Sequence, residues 1–163
     1  MRRTLAAMRW SDMDALGHVH NARFLEYFEA ARADLVNELV DIGRPAGMSL
    51  LVARHEIDYL APLVYRPTPV PVDLWVERIG NSSITVGYVV TEADHSVVYG
   101  KAITVMVAVD MTTGRAMTLP DFIREALQPY LREDGDMDPT RVSTTTQPSV
   151  SDGNARGVGL VNG

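Results

Sequence analysis

An apolar stripe near the start of the chain most constrains the fold. Its members recur at steps of three and four residues: Phe24, Phe28, Ala31, Leu35 and Leu39. This spacing is typical of a helix with one buried face. The segment Gly43-Arg44-Pro45 ends the predicted helix, because glycine and proline interrupt helical backbone. A helix of this length needs a large apolar partner to cover its buried face.

Strand patterns dominate the chain after this helix. Apolar residues alternate along two segments with the period of a pleated strand, and three further apolar runs also predict strands. The predicted strands cover 4–10, 49–60, 70–76, 84–90 and 97–110. A short helix is predicted at 120–127. The order β-α-β-β-β-β-α predicts an α+β domain whose antiparallel sheet wraps around the long helix, because only that helix can cover one face of the sheet.

The composition changes after Tyr130. No aromatic residue occurs in 131–163, where Ser, Thr, Asp, Gly and Pro dominate. Such a segment buries too little apolar surface to offset the entropy lost on ordering. We therefore expect a folded domain over 1–130 and a flexible, low-complexity tail over 131–163.

Composition excludes several classes of function. The net charge of −6 argues against nucleic-acid binding, which needs a basic surface. The absence of cysteine excludes disulfides, a thiolate metal site and a cysteine nucleophile. No apolar run approaches the roughly 18 residues of a membrane-spanning helix, and the first residues do not resemble a signal peptide. We expect a soluble, cytoplasmic protein that binds neither nucleic acid nor membranes.

The loop before the long helix carries a dense group of ionisable side chains. Asp12, Asp14, His18 and His20 lie within nine residues that lead into the helix. One interpretation is capping, because Asp side chains accept orphan N–H groups at turns and helix starts. A second is metal binding by the Asp-x-Asp and His-x-His pairs. Alternate residues share a face only in extended backbone, which Gly17 and the helix start disfavour. We expect no metal and no cofactor.

The third interpretation is catalysis beside the helix N-terminus. The first helical turn exposes unpaired N–H groups and a partial positive charge, which can stabilise a developing oxyanion. A nearby carboxylate can attack a carbonyl carbon or activate a water molecule. These groups supply no proton for a poor leaving group, whereas a thiolate leaves readily. The substrate class that they suit best is a thioester.

The residues around this loop form an extended motif. It reads Asp12-x-Asp14-x-x-Gly17-His18-Val19-x-Asn21, followed by Phe24-Leu25-Glu26-Tyr27-Phe28-Glu29-x-Ala31-Arg32. Two later segments are Glu56-Ile57-Asp58-Tyr59-Leu60-x-Pro62-Leu63 and Gly80-Asn81-Ser82-Ser83. Together they resemble the 4-hydroxybenzoyl-CoA thioesterase family of hotdog-fold acyl-CoA thioesterases. The resemblance covers most of 1–130 and not the tail.

The resemblance implies a fold and a set of site residues. The fold is the hotdog fold, an antiparallel sheet wrapped around a long central helix, assembled as a homodimer or a dimer of dimers. The catalytic carboxylate falls on Asp14, and the oxyanion donor is a backbone N–H near Asn21. Gly17 allows the turn between them, and His18 can contact the substrate or Asp14. This chain has His20 where many relatives have Asn.

Two other acidic residues compete with Asp14 for the catalytic role. Asp12 lies two residues further from the helix, and we expect it to order the loop. Glu29 is the stronger rival, because some hotdog thioesterases place their acid on the central helix. Its spacing of three residues from Arg32 favours an ion pair instead.

The leading functional hypothesis is an acyl-CoA thioesterase. The resemblance places the coenzyme A phosphates near arginines such as Arg54, Arg66 or Arg78. A thioesterase acting on acyl carrier protein would use the same chemistry with a different docking surface. The alternative from another class is a non-catalytic hotdog protein that binds acyl or aromatic ligands or serves as a scaffold. The presence of Asp14 at the family spacing favours the enzyme.

Overall fold

The computed structural model describes residues 1–43 and 45–132, which form six strands and two helices. The strands are β1 (Arg2–Ala6), β2 (Met48–Tyr59), β3 (Val70–Ile79), β4 (Ser83–Thr91), β5 (Val98–Asp110) and β6 (Arg115–Ala116). The helices are α1 (Asn21–Asp41) and α2 (Asp121–Leu127), and short 3₁₀ turns occupy Trp10–Asp12 and Gln128–Tyr130. The predicted order of elements is confirmed, with the two-residue β6 as an addition.

All the strands belong to one antiparallel sheet. The order across it is β1-β3-β4-β5-β2, and β6 pairs with β5. Val72 lies opposite Val90, and Tyr88 lies opposite Ala102, so apolar side chains of β3, β4 and β5 share one face. The predicted antiparallel sheet is therefore confirmed. Strand β2 lies at one edge and has β5 as its partner.

Helix α1 packs its apolar stripe against this sheet. The helix has 21 residues, and its buried members are Phe24, Tyr27, Phe28, Ala31, Arg32, Leu35 and Leu39. The ring of Phe28 lies 5.1 Å from that of Tyr88 on β4. All the apolar members of the stripe join residues of β3, β4 and β5 in one core cluster. Gly43, with φ of +100°, follows the helix and donates its N–H to the Val40 carbonyl, as is typical of a helix C-terminus.

The opposite face of β3 is also buried. Trp75 packs with Val89 and Val98 in a second, smaller cluster. Its indole lies against the backbone of Gly87, where an added Cβ would sit 2.4 Å from the ring. No side chain larger than hydrogen fits there without displacing the indole, so the sequence needs glycine at this position.

The first strand is shorter than its prediction of 4–10 and begins earlier. Strand β1 ends at Ala6, which pairs with Val70, the first residue of β3, and a 3₁₀ turn follows at Trp10–Asp12. The turn is held by Asp12, whose carboxylate accepts the Arg9 N–H at 2.8 Å. The last residues of the predicted strand, after Ala6, therefore belong to the loop and not to the sheet.

The end of the described chain returns to the sheet. Leu131 forms a bridge with Val76 on β3, and the Arg132 N–H donates to the Val76 carbonyl at 2.8 Å. Residues 133–163, most of the predicted tail, lie outside the described residues, so the division at 130 remains a prediction. Within 1–43 and 45–132, no helix is long and apolar enough to cross a membrane.

Candidate active site

Residues 12–20 form a tight hairpin that leads into α1. The His20 N–H donates to the Asp12 carbonyl at 2.8 Å, and the Asp14 N–H donates to the His18 carbonyl at 2.9 Å. Gly17 makes the turn with φ of +78°, a left-handed conformation that favours glycine. Asp14 therefore lies on the first side of the hairpin. The second side ends at His20, which directly precedes α1.

The carboxylate of Asp14 is fixed by its own turn. Its Oδ1 accepts the Leu16 N–H at 2.8 Å, which is the geometry of an Asx turn. The side chain is half-buried, and its Oδ2 has no hydrogen-bond donor among the described residues. One carboxylate oxygen is therefore oriented by the backbone while the other can act on a substrate or a water molecule.

His20 is the residue that caps α1. Its Nδ1 accepts the Ala22 N–H at 3.1 Å, and the side chain of Asn21 accepts the same N–H at 2.9 Å. Acceptance at Nδ1 requires a neutral imidazole with its proton on Nε2. No contact was predicted for His20, because the resemblance has Asn at this position in many relatives.

The backbone of Asn21 opens the first turn of α1. Its N–H has no acceptor among the residues that the structure describes, as expected at a helix start. Its carbonyl accepts the phenolic O–H of Tyr59 on β2 at 3.1 Å. The ring of Tyr59 also contacts Phe24 edge to face, with 5.4 Å between centroids. The helix start is thus attached to the end of β2, with an unpaired donor beside the Asp14 hairpin.

Asp12 has a different environment from Asp14. It is only 2% exposed, and its Oδ2 accepts from the Arg9 N–H at 2.8 Å and from the Tyr27 hydroxyl at 3.0 Å. The guanidinium of Arg23 lies 3.7 Å from Oδ1. Burial and the bond to Asp12 raise the pKa of Tyr27. These contacts connect the loop to α1 and leave Asp12 inaccessible to a substrate.

The rival acid Glu29 is exposed on α1. Among the described residues it forms no ion pair with Arg32, so the predicted pairing is wrong. Arg32 is buried instead, on the face of the helix that packs against the sheet. The sequence contained a signal for this burial, because Arg32 lies four residues after Phe28 and three before Leu35. Helical spacing alone places it on the buried face.

The remaining predicted site residue is His18. Its side chain is exposed and forms no hydrogen bond with the described residues, while its carbonyl helps to close the hairpin. The Asp and His residues of the loop do not converge on a common point: no group of three side chains able to ligate a metal occurs in the described parts of the chain.

Known proteins resemble this chain over most of its length. The sequence model of the thioesterase-like superfamily matches residues 8–127 of this chain. The long-chain acyl-CoA thioesterase FadM of Escherichia coli is 24% identical over 131 residues, which span 79% of this chain and 98% of that protein.

Two solved structures share the architecture. A predicted thioesterase from Bacillus stearothermophilus superposes with a TM-score of 0.71 and 30% identity, covering 82% of this chain and 98% of the other. A thioesterase from Thermus thermophilus, solved with coenzyme A and zinc, superposes with a TM-score of 0.62 and 33% identity, covering 78% and 92%. The antiparallel sheet with few helices fits the hotdog fold of these thioesterases.

Proposed function

The chain belongs to the thioesterase-like superfamily and is a thioester hydrolase; we propose that it cleaves acyl-CoA with Asp14 as the catalytic carboxylate and the Asn21 N–H as the oxyanion donor. The observation that carries the proposal is the hairpin of residues 12–20. It holds a half-buried carboxylate beside a helix start whose first N–H has no acceptor among the described residues.

In the proposed reaction, the two groups act on the same thioester carbonyl. The Asn21 N–H acts on its oxygen, and the Asp14 carboxylate acts on its carbon, directly or through water. The thioester carbonyl oxygen accepts a hydrogen bond from the Asn21 N–H, and the partial positive charge of α1 stabilises the oxyanion as it forms. The free oxygen of Asp14 either activates a water molecule or attacks the carbonyl carbon. The thiolate of coenzyme A then leaves without needing a proton donor. Attack by water gives the free acid directly, whereas attack by Asp14 gives an acyl–Asp14 anhydride that a water molecule then cleaves to release the acid and restore the carboxylate.

The neighbouring residues position the two reacting groups. Gly17 allows the turn that directs Asp14 towards the helix, and His18 is proposed to contact the substrate from the exposed side of the hairpin. The Tyr59 hydroxyl donates to the Asn21 carbonyl, which fixes the peptide that precedes the helix interior. Each of these residues orients the reacting pair without taking a proton.

Acyl-CoA is the proposed substrate because named relatives act on it or bind coenzyme A. Of the three arginines considered for the phosphates, Arg54 pairs with Glu56, and Arg66 pairs with Glu92. Arg78 is exposed and forms no ion pair with another described residue, so it is the preferred phosphate contact.

We also propose that the sheet wraps around α1 and that two copies associate through β2. The buried stripe of α1 supports the first point, because its apolar residues share a core with three strands. Exposed Leu51, Val52 and Tyr59 on the edge strand β2 support the second, since an apolar edge favours association. Light scattering that finds a stable monomer at micromolar concentration contradicts the dimer.

A thiol-release assay tests the activity. The panel contains straight-chain acyl-CoAs of graded length, an aryl-CoA and one matched acyl group carried on acyl carrier protein. Release of coenzyme A from at least one acyl-CoA, with a faster rate than from the matched carrier protein, supports the proposal. Preference for the carrier-protein substrate changes the substrate class, and no release from any of them contradicts hydrolysis.

A further inference from the structure

A buried arginine lies on the sheet-facing side of α1. Arg32 is 8% exposed, and its Nη1 has no hydrogen-bond partner among the described residues. No carboxylate within 1–43 and 45–132 forms an ion pair with it, including Glu29 one turn earlier. A buried cation without a compensating anion is strongly unfavourable, so an anion from outside these residues has a reason to bind.

A second buried polar group, the Tyr88 hydroxyl, lies beside the first. The Tyr88 side chain is fully buried against Phe28, and its hydroxyl has no partner with hydrogen-bond geometry in the described chain. Burial raises the pKa of Tyr88, and the donors of Arg32 and Thr104 that face its oxygen oppose that rise without reaching hydrogen-bond geometry. The hydroxyl therefore keeps its proton and can donate it. A cationic donor and a neutral donor side by side favour an acceptor-only ligand such as a carboxylate.

His55 on β2 forms the outer side of this group. Its Nδ1 lies 2.9 Å from the Thr104 hydroxyl oxygen, and His55 is exposed while Thr104 is buried. Burial and the charge of Arg32 lower the pKa of His55 against the opposing effect of Glu29. We call Arg32, His55, Tyr88 and Thr104 the Arg32 cluster. It reaches the surface through His55.

The Arg32 cluster lies at a distance from the proposed reaction site that suits an acyl chain. Helices rise about 1.5 Å per residue, so Arg32 lies about 16 Å along α1 from Asn21. Strands rise about 3.4 Å per residue, so His55 lies about 14 Å along β2 from Tyr59, which bonds to Asn21. Helix α1 and strand β2 thus give a similar separation between the Arg32 cluster and the proposed reaction site. The Arg32 side chain leans towards the helix N-terminus, which shortens the span.

We infer that the preferred substrates carry a carboxylate at the far end of the acyl group, and that Arg32 and Tyr88 bind it. This inference rests on the proposed thioesterase function. The thioester lies at Asn21 and Asp14, the methylene chain follows the line between α1 and β2, and the terminal carboxylate receives hydrogen bonds from the Arg32 guanidinium and the Tyr88 hydroxyl. The substrate class is therefore the coenzyme A half-thioester of a dicarboxylic acid.

The test compares matched acyl-CoAs of graded length that end in either a methyl or a carboxylate group. At the best length, the wild-type kcat/KM is expected to favour the carboxylate by about 10–100-fold, the range for hydrogen bonds to a charged group. Arg32→Met removes the cation at similar volume, and the ratio is expected to fall to about 1 or below. Arg32→Lys keeps the charge and retains part of the ratio. Arg115→Met, an exposed arginine on β6, is the matched control and retains the wild-type ratio.

A binding measurement makes the result independent of turnover. The free dicarboxylic acid is expected to raise the thermal midpoint of the wild-type protein and of Arg115→Met. It is expected to leave the midpoint of Arg32→Met unchanged and to raise that of Tyr88→Phe less than that of the wild type. Should Arg32→Met fail to fold, Tyr88→Phe and the wild-type ratio decide the question.

Three outcomes overturn the inference. If the wild type hydrolyses both series but favours the methyl end, the thioesterase stands and the carboxylate specificity is wrong. If Arg32→Met changes the mass in light scattering, the arginine pairs with a second copy of the chain instead. If no acyl-CoA of either series, and no aryl-CoA, is hydrolysed while the dicarboxylate still binds, the proposed activity fails and the anion site remains.

Discussion

The carboxylate of Asp12 and the phenol of Tyr27 form a buried hydrogen bond of 3.0 Å between the loop and α1. Both side chains are almost completely excluded from solvent. The same carboxylate oxygen also accepts the Arg9 N–H, so one atom links the 3₁₀ turn to the helix. The bond fixes the position at which the hairpin begins, two residues before Asp14.

Replacement of Tyr27 by Phe removes this bond without changing the packed ring. We expect the free energy of unfolding in urea to fall by about 1.5–3 kcal/mol, because a buried carboxylate loses one of its donors. Tyr65→Phe is the matched control, since its hydroxyl forms no hydrogen bond with the described residues. Equal stability of the two variants contradicts a role for the Asp12–Tyr27 bond.

The indole of Trp75 imposes glycine at position 87. An added Cβ would lie 2.4–2.6 Å from three indole atoms, well inside van der Waals contact. We expect Gly87→Ala to lower the free energy of unfolding by about 1–3 kcal/mol, the usual cost of overpacking. In a background of Trp75→Leu the same change is expected to cost less, and the double-mutant cycle measures this coupling. Additive effects contradict the steric explanation.

The elements that sequence periodicity predicted well are those whose burial is uniform along one face. The stripe from Phe24 to Leu39 became α1, and the alternating segments became β3 and β4. The predicted first strand runs too far because β1 loses its partner where β3 begins at Val70, and the Arg9 N–H then bonds to the Asp12 side chain. A side-chain bond of this kind leaves no periodic trace in the sequence.

The site was predictable in its chain position but not in its contacts. The spacing of Asp14 from Asn21 indicated a carboxylate near a helix start, whereas the capping role of His20 depends on its tautomer and rotamer. The predicted ion pair of Arg32 failed because helix rules for exposed pairs do not apply on a buried face. The Arg32 cluster joins residues from α1, β2, β4 and β5, and only the folded sheet brings these elements together.

Acid is expected to destabilise the fold through Glu92. Hydrogen bonds from Arg66 and Tyr99 hold the pKa of Glu92 below its ordinary value of 4.5. A lowered pKa in the folded state contributes stability above the unfolded value, and that stability is lost as pH falls through the folded pKa. Unfolding free energy measured below pH 4.5 is therefore expected to fall less steeply for Glu92→Gln than for wild type.

Glu125→Gln is the control for this pH effect. Glu125 is exposed on α2 and forms no ion pair with another described residue. Its replacement is expected to leave the slope of stability against pH unchanged. If both variants have the wild-type slope, the Arg66–Glu92–Tyr99 contacts do not contribute to acid sensitivity.

Removal of residues 134–163 is expected to leave the fold and turnover nearly intact. The truncated chain keeps Leu131 and Arg132, which pair with Val76 on β3. The removed segment has no aromatic residue and few apolar ones. Calorimetry checks the expectation, and a large fall of the thermal midpoint contradicts the proposed boundary. A further cut before Leu131 is expected to cost more, because it removes the contacts to β3.

The central prediction concerns Asp14. Asparagine has nearly the shape of aspartate, and its Oδ1 can still accept the Leu16 N–H, so Asp14→Asn is expected to keep the hairpin. It cannot act as a base or a nucleophile. We expect kcat to fall by about 10²–10⁴, the usual range for a positioned acid–base group, with little change in substrate binding. Steady-state kinetics and the thermal midpoint separate chemistry from folding.

Two further carboxylate variants locate the chemistry. Asp12→Asn is expected to lose stability through the bonds to Arg9 and Tyr27, with any loss of turnover following the folded fraction. Glu29→Gln is expected to be nearly neutral, because that side chain is exposed and unpaired within the described chain. Wild-type turnover in Asp14→Asn, together with collapse in Glu29→Gln, moves the catalytic acid to the helix. Near wild-type turnover in both variants removes the carboxylate mechanism altogether.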